Sequence, residues 1–222
     1  MNAMKMPILM INFKAYAEST GKNALELAKI CEKIAIKEDV NIIICPQFMD
    51  IPVIARKVKI PVFAQHIDPI EPGAFTGHIS AFSIKEAGAK GTLLNHSEKK
   101  MIFDSLSLCI SMAKKYSLIT VCCERDVTRA CAIAQLKPDF IAIEPPELIG
   151  GDLSVSTAKP TLISDGVKAC GKIPLLVGAG IKTAEDVRRA LKLGAKGVLL
   201  ASGVVKASDK EKAILELISG MK

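Results

Sequence analysis

The sequence of 222 residues contains no tryptophan, two tyrosines and three histidines. Stacking platforms of the kind that hold single-stranded nucleic acid are therefore scarce, and most of its seven phenylalanines fall within apolar runs. No apolar run approaches the ~18 residues that cross a bilayer. The longest, such as 41–45 and 118–123, have the length of strands and polar boundaries, so no membrane association is expected. There is no C-x-x-C and no H-x-x-x-H, and His66 and His78 stand isolated in a long loop, so no metal site is expected. No G-x-G-x-x-G follows the first apolar run, so no dinucleotide cofactor is expected either. At the start of the chain, Asn12 and Lys14 interrupt the apolar stretch and no small-residue cleavage site follows. A cytoplasmic protein is expected.

The seven cysteines are odd in number and stand mostly where a helix or strand calls for an apolar residue. They read as reduced core thiols, with Cys45, at a strand end before Pro46, the only one placed like a nucleophile. Net charge is +7, and 25 of the 30 basic residues are lysines dispersed along the chain. Dispersed lysines mark solvated helix faces rather than a nucleic-acid stripe, but a basic field does attract a small phosphorylated substrate.

The chain alternates two periodicities. Short β-rich runs begin near Pro7, Val40, Ile60, Gly91, Leu118, Phe140, Leu175 and Gly197. Between the first two, Ala24, Leu27, Ala28, Cys31, Ile34 and Ala35 follow helical spacing, and Leu106, Cys109, Ile110 and Ala113 repeat such a face. Capping boxes are expected at Ser208-x-x-Glu211 and, more weakly, Thr183-x-x-Asp186; the segment 49–56 is too short for a full helix. An internal echo supports repetition: Gly88-Ala89-Lys90-Gly91-Thr92-Leu93-Leu94 returns as Gly194-Ala195-Lys196-Gly197-Val198-Leu199-Leu200, 106 residues later. Near-continuous apolar strands alternating with one-faced helices mean a parallel sheet covered by helices. Eight similar units favour a closed barrel over a doubly wound open sheet, so we expect an α/β chain folded as a single compact (β/α)8 barrel domain over 1–222.

Such barrels build their sites at the C-terminal ends of the strands. Lys14 follows the first run, His96 the fourth, and Glu144 ends the sixth, just before Pro145-Pro146. A base, a hydrogen-bond donor and a cation converging on one rim suit proton abstraction beside a carbonyl. Gly178-Ala179-Gly180 and Ala201-Ser202-Gly203, after the seventh and eighth runs, occupy the loops that commonly bind phosphate in this architecture. The segment 145–151, with prolines and glycines at its two ends, reads as a lid that would let phosphate-binding energy exclude water.

Six segments in order, Asn12-Phe13-Lys14, Gly73-Ala74-Phe75-Thr76-Gly77, Asn95-His96-Ser97-Glu98, Glu144 through Gly150, Gly178-Ala179-Gly180-Ile181 and Ala201-Ser202-Gly203, resemble the triosephosphate isomerase family, most closely its archaeal type. The likeness runs nearly end to end. It implies an intramolecular aldose-ketose isomerase of glycolysis and gluconeogenesis, acting on triose phosphates through an enediol(ate) without a cofactor. In that likeness Glu144 is the base, His96 the electrophile, and Asn12 and Lys14 hold substrate, with Glu98 supporting Lys14. Ile149, Gly180, Ala201 and Ser202 line the phosphate. The resemblance also implies self-association as a homotetramer or homodimer, with the loop 66–78 inserting into a neighbouring subunit and Thr76 reaching that subunit's site. The tryptophan common in the family's lid is absent, and Pro146-Glu147-Leu148 stand in that region. The phosphate turns alone would also fit another phosphate-binding barrel; Lys14, His96 and Glu144 together discriminate against it.

Overall fold

Eight strands alternate with helices in the computed structural model, which describes residues 5–149, 151 and 154–222. The strands are β1 (Ile8–Asn12), β2 (Asn41–Cys45), β3 (Phe63–Ala64), β4 (Gly91–Leu94), β5 (Ile119–Glu124), β6 (Phe140–Ile143), β7 (Leu175–Val177) and β8 (Gly197–Leu200). All pair in parallel, in the order β2-β1-β8-β7-β6-β5-β4-β3. A lone parallel bridge, Ile44 to Val62, joins the two remaining edges and closes the cylinder, with Ile44 N–H donating to the Pro61 carbonyl at 3.1 Å. The result is a (β/α)8 barrel.

Both faces of each strand are covered, which is why the strands read as continuous apolar runs. Alternate side chains, among them Met10, Ile43, Phe63, Leu93, Phe140 and Leu199, fill the cylinder, while Leu9, Ile11, Ile42 and Ile44 face the helical layer. Extending the inward register by two residues past Met10, Ala142, Leu176 and Leu199 leads to Asn12, Glu144, Gly178 and Ala201. The strand period alone thus aims these four positions at the rim of the barrel.

The helices are α1 (Lys22–Glu38), α2 (Ile51–Ala55), α3 (Ala81–Glu86), α4 (Phe103–Lys115), α5 (Val127–Ala134), α6 (Val155–Ala158), α7 (Pro160–Cys170), α8 (Ala184–Lys192), α9 (Ser202–Val205) and α10 (Lys210–Ser219). The buried residues of α1 and α4 are the ten whose spacing marks the apolar stripes. Thr183 and Asp186 form a complete reciprocal box at the start of α8. The expected box at Ser208 is not formed. Asp209 caps α10 instead, accepting from Lys212 N–H at 2.9 Å, and Glu211 turns outward to Lys33 at 2.8 Å. An ionised carboxylate is favoured over a hydroxyl beside the positive end of a helix. The third strand also starts later than its apolar run, because Pro61 has no N–H to contribute to a ladder.

The internal echo has a structural cause. Gly88 and Gly194 leave α3 and α8 with φ of 98° and 101°, a region that favours glycine, and Ala89 and Ala195 donate back to Ile84 and Ala190. Gly91 and Gly197 then open β4 and β8 against neighbouring backbone, where a Cβ would stand 2.4 Å from the Ile119 carbonyl oxygen and 2.2 Å from that of Ile8. Both copies are the same turn from helix to strand, four units apart around the barrel.

Candidate functional site

The C-terminal ends of the strands enclose a cavity of about 220 Å³. Asn12, Lys14, His96, Glu144, Ile149, Gly180, Ala201 and Ser202, the eight residues expected at the site, all line it. Gly150 of the expected lid lies outside the described residues.

Lys14 follows β1 with φ of 51°, a left-handed conformation uncommon for a residue with a side chain. Its surroundings hold it there. The Asn12 side-chain oxygen accepts from Lys14 N–H at 2.9 Å, and Gln65 Nε2 donates to the Lys14 carbonyl at 3.0 Å. The turn sends the ammonium, largely buried, to Glu98 Oε1 at 2.7 Å. A largely buried cation is thereby held at the rim with its charge balanced by the exposed Glu98 carboxylate.

His96 follows Asn95, itself left-handed at φ 58°, and is buried. Its Nδ1 accepts from the backbone N–H of Glu98 at 3.2 Å. An imidazole that accepts at Nδ1 carries its proton on Nε2, so the donor atom faces the cavity. Across from it, 3.6 Å from Nε2, stands Glu144 Oε2, beyond hydrogen-bond length and without any hydrogen-bond partner among the described residues. An ionisable oxygen that is buried and unspent is reactive by placement.

Glu144 is held from behind. Its N–H donates to the Glu124 carbonyl at 2.7 Å, and its side chain packs on Gly178, where a Cβ would come within 2.5 Å of Cγ and Oε1. Cys123 lies beneath it inside the barrel. Burial, and after it the neighbouring Glu144 carboxylate, push the Cys123 thiol well above its usual range, so this group can offer a proton but not a charge. Cys45 is likewise buried, and desolvation pushes its thiol far up, so it is a core thiol and not a nucleophile. Of the seven cysteines only Cys131 is exposed.

The opposite wall is backbone. Ala179 and Gly180 have φ of 76° and 69°, and the first turn of α9 begins at Ser202. The first N–H groups of a helix have no partner inside it, and this turn brings such groups to the cavity. Just after Glu144, residues Pro146–Leu148 form a single 3-10 turn, tied to the start of α7 by an ion pair between Glu147 and Lys159. Ile149 and Gly151 extend from it to the cavity edge.

The lining also holds Leu199 and Leu200 from the end of β8 and two polar residues that the motifs do not mark, Tyr16 and Lys182. Lys206 stacks over the Tyr16 ring at 4.4 Å from its centroid. The signal in both cases was proximity, since Tyr16 lies two residues after Lys14 and Lys182 two after Gly180.

Comparison with known proteins gives a consistent picture. The family model described as triosephosphate isomerase matches residues 7–221. The triosephosphate isomerase of Methanothermus fervidus is 48% identical over 222 residues, covering 98% of this chain and all of that protein. That of Methanocaldococcus jannaschii is 49% identical over 215 residues, covering 95% of this chain and 98% of the relative. Among solved structures, the triosephosphate isomerase of Bartonella henselae superposes with a TM-score of 0.75 at 19% identity, over 97% of this chain and 99% of its own, a likeness of fold.

Proposed function

Because the chain belongs to the triosephosphate isomerase family, which interconverts dihydroxyacetone phosphate and D-glyceraldehyde 3-phosphate, we propose which of its residues carry that reaction. Glu144 removes a proton from carbon 1 of the ketose, the C–H electron pair becomes the C1–C2 double bond, and the carbonyl oxygen takes the developing charge. His96 donates its Nε2 proton to that oxygen, giving the enediol. Return of a proton to carbon 2 and release of one from the carbon 1 hydroxyl complete the aldose, so atoms balance without an external oxidant or reductant. Lys14 and Asn12 hold the substrate oxygens. Ile149, Gly180, Ala201 and Ser202 surround the phosphate, and closure of 145–151 excludes water from the enediolate.

The single observation that carries this reading is the facing pair in the cavity: an unspent carboxylate oxygen 3.6 Å from a ring nitrogen whose tautomer is fixed from behind. Replacing Glu144 with Gln keeps the shape and removes the proton acceptor. A coupled assay should show kcat for Glu144→Gln down by more than about a hundredfold with affinity for a phosphorylated inhibitor retained. Turnover near wild type would remove Glu144 from this role.

We further propose that 1–222 acts as one domain, in the cytoplasm, as a homotetramer. Two separate apolar patches support the assembly. Phe75, at 45% exposure in the projecting loop, would enter one neighbour and bring Thr76 near its site; Ile102, Phe103 and Leu108, each half-exposed or more, mark a second face at α4. Two distinct self-complementary faces build a closed tetramer. Sedimentation at assay concentration should give four chains, and a fully active monomer would refute the assembly.

A further inference from the structure

His96 and Glu144 are carried by β4 and β6, with β5 between them, so their separation is set through β5. The last residue of β5 is Glu124, a carboxylate only 4% exposed. Burying that charge is costly unless its oxygens are met. Oε1 accepts from Asn95 Nδ2 at 2.8 Å, and Oε2 accepts from the Arg125 backbone N–H at 3.0 Å and stands 3.6 Å from Lys100 Nζ. The same residue's main-chain carbonyl accepts from Glu144 N–H at 2.7 Å.

Asn95, next to His96 in the chain, commits its whole amide to this neighbourhood. Besides Glu124, its Nδ2 donates to the Cys123 carbonyl at 2.9 Å, and its Oδ1 accepts from Met101 N–H at 2.9 Å. The segment bearing His96 is therefore clasped at its entrance by Asn95 and at its exit by Lys100 and Met101. A left-handed residue at position 95 would be served by glycine, which supplies none of these bonds. Asparagine suits the left-handed turn as glycine does, but only asparagine also supplies these bonds.

Resting on the reading of His96 and Glu144 above, we propose that Asn95 and Glu124 are a positioning pair that sets the distance between the proton donor and the base. The side chain of Glu124 holds the His96 segment, and its carbonyl holds the backbone of Glu144. Neither residue lines the cavity. The pair acts on the step in which both catalytic groups must be correctly placed, and leaves the phosphate wall, on the far side, unchanged.

The test compares Asn95→Gly, Glu124→Ala and Glu124→Gln in the full-length enzyme, with Glu144→Gln assayed in parallel. Asn95→Gly keeps the left-handed turn without strain, so it remains informative if Glu124→Ala fails to fold. Expected are a fall in kcat on the order of tenfold for Asn95→Gly and Glu124→Ala with KM within about twofold, and a smaller fall in Glu124→Gln, whose oxygen still accepts from Asn95 although its Nε2 can no longer accept from the Arg125 N–H. The double variant should be no worse than the poorer single one, as for two parts of one device. A clasp that served stability alone would lower the melting temperature and leave kcat of the folded enzyme intact. That result, or additive losses, would overturn the proposal. Loss of activity in Glu144→Gln with Asn95→Gly unaffected overturns the positioning pair alone, whereas an active Glu144→Gln overturns the reading beneath it.

Discussion

Gly178 is the sharpest probe of how tightly Glu144, the base proposed above, is placed. A methyl added there meets the carboxylate side chain, at 2.5 Å from both Cγ and Oε1 of Glu144, where ordinary contact between carbon atoms begins near 3.5 Å. Either strand β6 yields or the carboxylate retreats by about 1 Å, and the strand is anchored on both sides by its ladders with β5 and β7. A misplacement of about 1 Å at a reacting group costs on the order of a hundredfold, or about 2.7 kcal/mol of activation free energy. Gly178 is not in the left-handed region, so alanine adds no backbone strain and the effect isolates the contact. In a coupled steady-state assay Gly178→Ala should lose about a hundredfold in kcat with KM little changed. Introduced into Glu144→Asp, whose carboxylate is one methylene shorter, the same alanine should cost much less. A folded Gly178→Ala enzyme with wild-type kcat would refute the argument, because it would mean that the base tolerates displacement.

Other consequences can be measured independently. Cys131 is the one exposed thiol, while burial pushes Cys109 up to about 12 and Cys170 up to about 11, so brief alkylation of the native enzyme should modify Cys131 alone, by peptide mapping, and spare activity. His66, buried with Nε2 at 3.1 Å from Asp68, is held below the ordinary value of 6.5, chiefly by desolvation, so its unfolded form binds the proton first. Stability should therefore fall as pH drops below 6.5, and His66→Gln should flatten that acid limb in denaturant titrations. Gly91→Ala forces a methyl to 2.4 Å from the Ile119 carbonyl oxygen and 2.5 Å from the Phe63 ring; it should lower stability by roughly 2–4 kcal/mol in equilibrium unfolding, and a change under 0.5 would contradict the packing.

What the sequence discloses and what it conceals divide along the range of the interaction. The buried stripe of α1, the strands and the rim positions of Lys14, His96 and Glu144 depend on local period and chain order, and all are legible in the residues themselves. Neighbouring caps already compete, which is why Asp209 rather than Ser208 starts α10. Contacts that depend on how one strand sits against the next leave no pattern in the chain. Gly178 beneath Glu144, Asn95 on Glu124 and Cys123 below the base all arise from register across β4 to β7. Reading Gly178 only as part of a phosphate loop therefore misses its closest contact, the Glu144 side chain.

The wall is thin between β2 and β3, where the two edges are joined by a single bridge. Gln65 crosses it just above: its amide donates to the Cys45 carbonyl at 2.9 Å as well as to that of Lys14. One side chain thus stands in for a missing rung and also steadies the left-handed turn that delivers the ammonium. Thermal breathing of the cylinder and the aim of its charge are mechanically linked at this point. Loosening of the seam between β2 and β3 would therefore also release the turn that carries Lys14, so wall and rim share one fastening.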